Sequence, residues 1–378
     1  MRIPCYGLLF FLFFQGLHAQ TPKSKNVILI TLDGFRWQEL FNGPDSILLN
    51  KKSIVQDQSV IKQFWAPTGE EGRKKLLPFF WTTIQSKGQL YGNRKFGNKV
   101  NCANLQWFSY PGYSELLSGF VDARINSNDK VNNRNSNVLE FIHQQPAFEN
   151  KVAAFSTWDV FPYILRENSS GILVNAGVES MRGQLSESEK LLNELQQLIP
   201  NPVTNRNDVF AFYFAFEYLK RERPRALFIS FDETDAYAHS GRYDEYLKTA
   251  HKTDRLISKL WEWIQSDSSY RDQTTIIITT DHGRGRGLKD GKMSWRNHGL
   301  PSLGSGETWI AAIGPDTPAL GEVKEKMQLH QKQIAATLAA CVGLNYENRK
   351  QVGKVISHIL APPVNQPTTV LTEAALNK

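Results

Sequence analysis

A small set of acids, histidines and one serine carries the chemistry of this sequence. Asp33, Asp281 and the cluster Asp232, Glu233 and Asp235 each stand directly behind a short apolar run. His282 follows Asp281, and His239 lies four residues after Asp235, a spacing that puts both side chains on one helical face. His298 sits in a glycine-rich stretch just ahead of another apolar run. Carboxylates that converge need a cation, and a mixed set of carboxylate and imidazole donors suits zinc. A nucleophile is offered by Ser109-Tyr110-Pro111-Gly112-Tyr113, where proline fixes the start of a short helix and leaves Ser109 near backbone amides that point at anions. Singly, each acid reads as a helix cap or a solvated turn residue, and a serine ahead of proline as a helix entry. His143, His251, His330 and His358 have no comparable setting and read as ordinary surface or core residues.

These residues need a frame that brings them to one rim. Asn26 to Leu32, Arg225 to Phe231, Thr274 to Thr280 and Thr308 to Ile313 read as buried strands, with Lys151 to Phe155 as a fifth. Between them Tyr243 to Ile264 repeats apolar residues at three- and four-residue steps, as a helix does. Such alternation predicts an α/β fold with a mostly parallel central sheet and helices on both faces. Ligands of open parallel sheets bind at the carboxyl ends of the strands, which is where Asp33, Asp232 and Asp281 fall. Asn126 to Asn137 and Gly283 to Gly306 read as long loops, which are commonly functional.

The chain has 378 residues and a formal charge of +7, with basic residues scattered among acidic ones. No basic stripe with interleaved aromatics and no nucleic-acid reading motif is present, so the expected partner is a small molecule. Arg2, the apolar run Gly7 to Phe14 and Leu17-His18-Ala19 have the charge, length and small-residue exit of a secretory signal. They predict an exported, periplasmic or secreted protein with residues 1–19 removed, a catalytic domain over 20–360 and a tail over 361–378 opened by Pro362-Pro363. No later stretch approaches the roughly 20 apolar residues of a membrane helix. Cys102 and Cys341 remain after cleavage, as a disulfide or as two buried thiols.

Val27-Ile28-Leu29-Ile30-Thr31-Leu32-Asp33-Gly34-Phe35-Arg36 resembles the opening of type I phosphodiesterases/nucleotide pyrophosphatases of the alkaline phosphatase superfamily. The likeness continues in order through Ser109-Tyr110-Pro111, Asp235 with His239, Asp281-His282-Gly283 and His298. It implies an alkaline phosphatase-like three-layer sandwich and two zinc ions, with manganese the alternative. One ion would take Asp33, Ser109, Asp281 and His282, the other Asp235, His239 and His298. It further implies that Ser109, activated by a cation, attacks phosphorus and forms a covalent phosphoserine that water then hydrolyses. An asparagine of the Asn-rich loop, Asn126 or Asn128, is expected to meet a phosphate oxygen.

The chain departs from the phosphodiesterase pattern in having Ser109 for the usual threonine and Gly112-Tyr113 for Asn-His. Serine is the nucleophile of the phosphatase branch, so the chemistry survives while the choice of ester stays open. A sulfatase needs arginine where Tyr113 stands, and an exported binding protein would be expected to lose a ligand position, of which none is missing here. A metal-dependent phosphoglycerate mutase shares the metal residues but works in the cytosol. Between monoester and diester the deciding group is a cation for the extra phosphate charge, for which Arg284, Arg286, Lys292 and Arg296 are the candidates. Trp37 is a candidate for stacking on an aromatic leaving group or for the core.

Overall fold

The computed structural model describes residues 22–360 apart from 201–204, 287 and 290–291, with backbone alone at 288–289 and 292–293. The expected secretory signal, the tail over 361–378 and the Lys292 side chain lie outside the described residues.

Eight strands form the main sheet: β1 (Asn26–Leu32), β2 (Gly88–Tyr91), β3 (Val152–Ser156), β4 (Leu173–Ala176), β5 (Ala226–Phe231), β6 (Thr274–Thr279), β7 (Ile310–Ile313) and β8 (Gly321–Glu322). Their spatial order is β8-β2-β7-β6-β1-β5-β3-β4. The neighbours from β6 to β4 pair in parallel, whereas β7 runs antiparallel to both β6 and β2. The sheet is therefore mostly parallel, as the alternation of strands and helices predicted.

β1 is buried along its whole length because it lies between β6 and β5 and both faces of the sheet are covered. Ile28, Ile30 and Leu32 enter one core, and Val27 and Leu29 enter the other, following the two-residue period of a strand. The first core is closed by α3 (Asp208–Glu222) and α5 (Tyr243–Ser266), which contribute Phe212, Phe214, Leu247, Ile257 and Leu260. α1 (Ser109–Ser118), α2 (Val138–His143) and α6 (Gln333–Cys341) close the second with Tyr113, Leu116, Leu139 and Leu338. Each such side chain contributes about 1.5–3 kcal/mol on full burial, which sets these layers firmly around the rim.

α4 (Glu233–His239) begins one residue after β5. Asp208 holds that turn, its carboxylate accepting from the Asp232 amide at 2.9 Å. The expected strand over Thr308 to Ile313 divides: Glu307–Thr308 pairs with Asn98–Asn101 in a separate three-stranded sheet, and β7 starts at Ile310. β2, β4 and β8 were not legible as strands; they are short, of four, four and two residues.

Candidate active site

The sheet order decides where the acids go. β6, β1 and β5 are consecutive, and their carboxyl ends deliver Asp281, Asp33 and Asp232 with Asp235 onto one rim. Leu32 pairs with Phe231 and Thr31 with Thr279, so the chain leaves the three strands at one level.

Two sets of three donors result. In the first, His282 Nε2 lies 3.3 Å from Asp33 Oδ1 and 3.4 Å from Asp281 Oδ2, all three side chains being buried. The second set has Asp235 Oδ2 at 3.1 Å from His239 Nε2, Asp235 Oδ1 at 3.6 Å from His298 Nε2, and 2.8 Å between the two imidazole nitrogens. The sets adjoin, since the His282 and His298 rings stack at 4.1 Å and Asp235 Oδ1 is 4.0 Å from His282 Nε2.

Both sets fit a tetrahedral cation. Donors at the roughly 2.0–2.2 Å of a zinc bond lie about 3.3–3.6 Å from one another, close to most of the spacings here. Asp33 Oδ1 and Asp281 Oδ2 are buried without a hydrogen-bond partner, and these are the two atoms that face His282 Nε2. The opposite nitrogen of that ring, Nδ1, lies 2.8 Å from the carbonyl of Gly283, an arrangement that makes Nδ1 the donor and leaves the Nε2 lone pair free.

The electrostatics agree. Burial, and then the charge of Asp235, raise the Asp33 carboxyl well above its usual range; burial followed by Asp33 does the same to Asp281. A bound cation is what would hold both ionised. Burial opposes ionisation of Asp235 too, but Arg284, His239, His298 and His282 outweigh it and hold this carboxyl well below the ordinary value. Burial pushes His282 down to about 4, and burial with the neighbouring His282 pushes His298 down to about 2. Both rings are therefore neutral near pH 7, the form in which imidazole binds a metal.

Ser109 is the first residue of α1, and its Oγ lies 3.4 Å from His282 Nε2. Gly112 makes that approach possible, because a Cβ there would stand 2.5 Å from the Asp281 carbonyl. From the Asn-rich loop, Asn128 Oδ1 accepts from the amide of Tyr110, next to Ser109, at 2.9 Å; Asn126 and Asn128 are both exposed residues of that loop. The loop is fastened by its own polar groups: the Tyr110 hydroxyl donates to the Val131 carbonyl, Asn133 donates to Ser114, and Asn137 caps α2.

Sequence reasoning missed the role of Tyr113 and gave Arg284 a different one. Tyr113 donates from its hydroxyl to Asp33 Oδ2 at 3.1 Å and accepts from Ser230, which fixes the orientation of the carboxylate. Its position four residues after Ser109 on a helix is the signal that would have found it. Arg284, considered as a phosphate-reading cation, is instead fully buried and bound to Asp235 Oδ1 and to the carbonyls of Trp295 and Arg296. Gly34 leaves room for it: at φ +58° this glycine adopts a left-handed conformation, and a Cβ there would lie 2.8 Å from Arg284 Nη1.

The remaining candidates are placed elsewhere. Arg286 pairs with Glu307, and Arg296 donates to the His239 carbonyl at 3.0 Å. Trp37 is partly buried against the first core, with its indole N–H given to Glu307 at 2.9 Å. Cys102 and Cys341 are free, buried thiols. His251 lies with Nδ1 2.9 Å from the Leu76 carbonyl, a structural bond. Among the described residues no helix is long and apolar enough to cross a membrane.

The family model of type I phosphodiesterase / nucleotide pyrophosphatase matches residues 48–361. The chain belongs to this family. That family places it in the alkaline phosphatase superfamily. Over 192 residues this phosphodiesterase-family chain is 23% identical to a 2,3-bisphosphoglycerate-independent phosphoglycerate mutase of Gracilaria tenuistipitata var. liui, covering 45% of the chain and 35% of the mutase. The match spans about a third of that relative's length. Its fold is similar to that of wild-type alkaline phosphatase PafA, at a TM-score of 0.57 and 10% identity over 90% of this chain and 99% of that one. It is also similar to lipoteichoic acid synthase LtaP of Listeria monocytogenes, at 0.56 and 13% over 89% and 75%.

Proposed function

We propose that this family member is an exported phosphoester hydrolase that holds two metal ions and works through a covalent phosphoserine on Ser109, with residues 20–360 as its catalytic domain. The observation that carries the reading is the juxtaposition of two three-donor sets with a helix-terminal serine, one set presenting two buried and unpartnered carboxylate oxygens. Asp33, Asp281, His282 and Ser109 would hold one ion, and Asp235, His239 and His298 the other. Mixed nitrogen and oxygen donors suit zinc, with manganese as the alternative.

When bound, the cations supply Lewis acidity that lowers the pKa of a bound hydroxyl and neutralises charge on the transferring phosphoryl group. The protein's own groups do the rest. Ser109 Oγ gives up its proton and forms the bond to phosphorus while the bond to the leaving oxygen breaks opposite it. Water then hydrolyses the phosphoserine. Asn128, held by the Tyr110 amide through its Oδ1, has its Nδ2 hydrogens left for a phosphate oxygen. Tyr113 keeps the Asp33 carboxylate turned toward the donor set.

The preferred ester is a diester. A monoester carries an extra negative charge that needs a cation beside it, and among the described candidates Arg284, Arg286 and Arg296 are bound to Asp235, Glu307 and the His239 carbonyl, the Lys292 side chain lying outside the described residues. The test is the ratio of bis-p-nitrophenyl phosphate to p-nitrophenyl phosphate hydrolysis by the zinc-loaded chain, with Ser109→Ala as control. Diester preference supports the reading. Monoester preference overturns the choice of ester, and absence of turnover above the alanine control overturns the phosphoesterase itself and leaves sulfate esters or pure binding.

A further inference from the structure

A cavity of about 610 Å³ opens where the helix Trp37–Asn42 meets the helix Gly69–Leu76, and none of the donors of the candidate active site lines it. Its size falls within the roughly 300–1,000 Å³ usual for small-molecule sites. The two segments meet backbone to backbone: a Cβ on Gly43, which sits at φ +72°, would stand 2.6 Å from the Arg73 amide nitrogen, and one on Gly69 would stand 2.8 Å from the Asn42 carbonyl.

The walls are held from behind. Trp65 gives its amide to the Ile61 carbonyl at 2.9 Å and takes Lys75 Nζ on its own carbonyl at 3.0 Å, while the residue stays 47% exposed. The Asp45 amide donates to the Tyr243 hydroxyl at 2.7 Å, and Asp45 Oδ1 accepts from the Ile47 amide at 2.9 Å. Walls fixed in this way lose little freedom when a ligand arrives. Beside Trp65, the exposed Ile47 and Pro67 extend the apolar part of the lining.

The polar part is unspent. Among the described residues, the half-buried side-chain amides of Gln38 and Asn42 and the Ser46 hydroxyl have no protein hydrogen-bond partner. Each of these groups can both donate and accept. The charged residues of the lining are one of each sign, Asp45 and Lys95.

We infer that this cavity binds a neutral saccharide, with a sugar ring laid on Trp65 and its hydroxyls shared among Gln38, Asn42 and Ser46. A pyranose has an apolar face of C–H groups for a flat indole and an edge of hydroxyls that donate and accept, as the amides do. A charged ligand would leave its charge without a surplus of the opposite sign. A proline-rich peptide would use the indole, but its carbonyls only accept and would leave the amide oxygens of Gln38 and Asn42 unused. The inference stands apart from the phosphoester reading of Ser109 and does not rest on it.

Saturation-transfer NMR on the full chain tests it, with the methyl glycosides of glucose, galactose, mannose and N-acetylglucosamine as probes and a proline decamer as the rival. At least one glycoside should bind, about tenfold more weakly in Trp65→Ala and in Asn42→Ala, through loss of the ring contact or of a hydrogen bond. Trp65→Phe, which keeps a smaller ring, should bind between parent and alanine variant, and its weakened binding reads the stacking should the alanine variant fail to fold. No binding of any of the four glycosides overturns the inference. So does glycoside binding that the substitutions leave unchanged, or binding of the decamer in place of the sugars.

Discussion

His239 Nε2 and His298 Nε2 lie 2.8 Å apart although 59 residues separate them, one at the end of α4 and the other in the loop before β7. Two imidazoles at that distance share one proton or give both lone pairs to a cation, and Asp235 beside them makes the second arrangement a three-donor site. Replacing His298 by alanine should lower bound zinc from two ions per chain to about one. Elemental analysis after exhaustive dialysis checks this, and two retained ions would show that the loop histidine is not a ligand.

Ser109→Ala should reduce ester hydrolysis by at least ~10³-fold while leaving the two-ion stoichiometry close to that of the parent, because three other donors remain in its set. Ser109→Thr, which keeps the hydroxyl, should retain turnover. Phosphate trapped on the chain after a quench at low pH would locate the intermediate. A label found on any residue other than Ser109 sinks the mechanism.

Asp235 and the buried Arg284 form a pair in which each neutralises the other. Arg284→Met removes the positive partner and should destabilise the zinc-free chain by about 3 kcal/mol, the typical cost of leaving a buried charge unpaired. In Arg284→Met/Asp235→Leu most of that loss should be recovered, since no charge is then left alone. Urea denaturation of the four members of the cycle measures the coupling, and additive losses would argue against a mutual pair.

Asp254 on α5 accepts from the amides of Phe79 and Phe80 at 2.9 and 3.1 Å, and burial pushes its carboxyl up to about 7 from an ordinary 3.8. The folded chain therefore binds this proton more tightly than the unfolded chain does. Its stabilising effect is complete below about pH 4 and is lost as pH rises to about 7, at no more than about 1.4 kcal/mol per pH unit. Asp254→Asn cannot titrate, so its stability should fall less steeply than the parent's between pH 4 and 7. Parallel curves for the two proteins would exclude the effect.

Much of the rim was legible in advance because parallel strands buried on both faces read as unbroken apolar runs, and the acids that follow them are forced to the carboxyl edge. The order of Asp33, Asp235, His239, Asp281 and His282 along the chain, and the helical pairing of Asp235 with His239, needed no coordinates. Less visible was how Arg284 is spent. Nothing in Asp281-His282-Gly283-Arg284 tells whether an arginine two residues past a donor faces substrate or turns inward; the space left by Gly34 and the carbonyls of Trp295 and Arg296 turn it inward. The same holds for Asn126 and Asn128, equivalent as letters and separated only when the fold brings one of them to the Tyr110 amide.

By itself the sequence determined the donor types, the strands that carry them and the serine at a helix start, since these depend on local periodicity and on residues adjacent in the chain. Tertiary structure decided which donors meet. β7 runs antiparallel to β6, so the excursion from Gly283 to Gly306 leaves and returns at one edge of the sheet and sets His298 against His239 and His282. The direction of a strand is fixed by the partner it pairs with and the edge at which the chain re-enters, and neither is written in the strand's own residues.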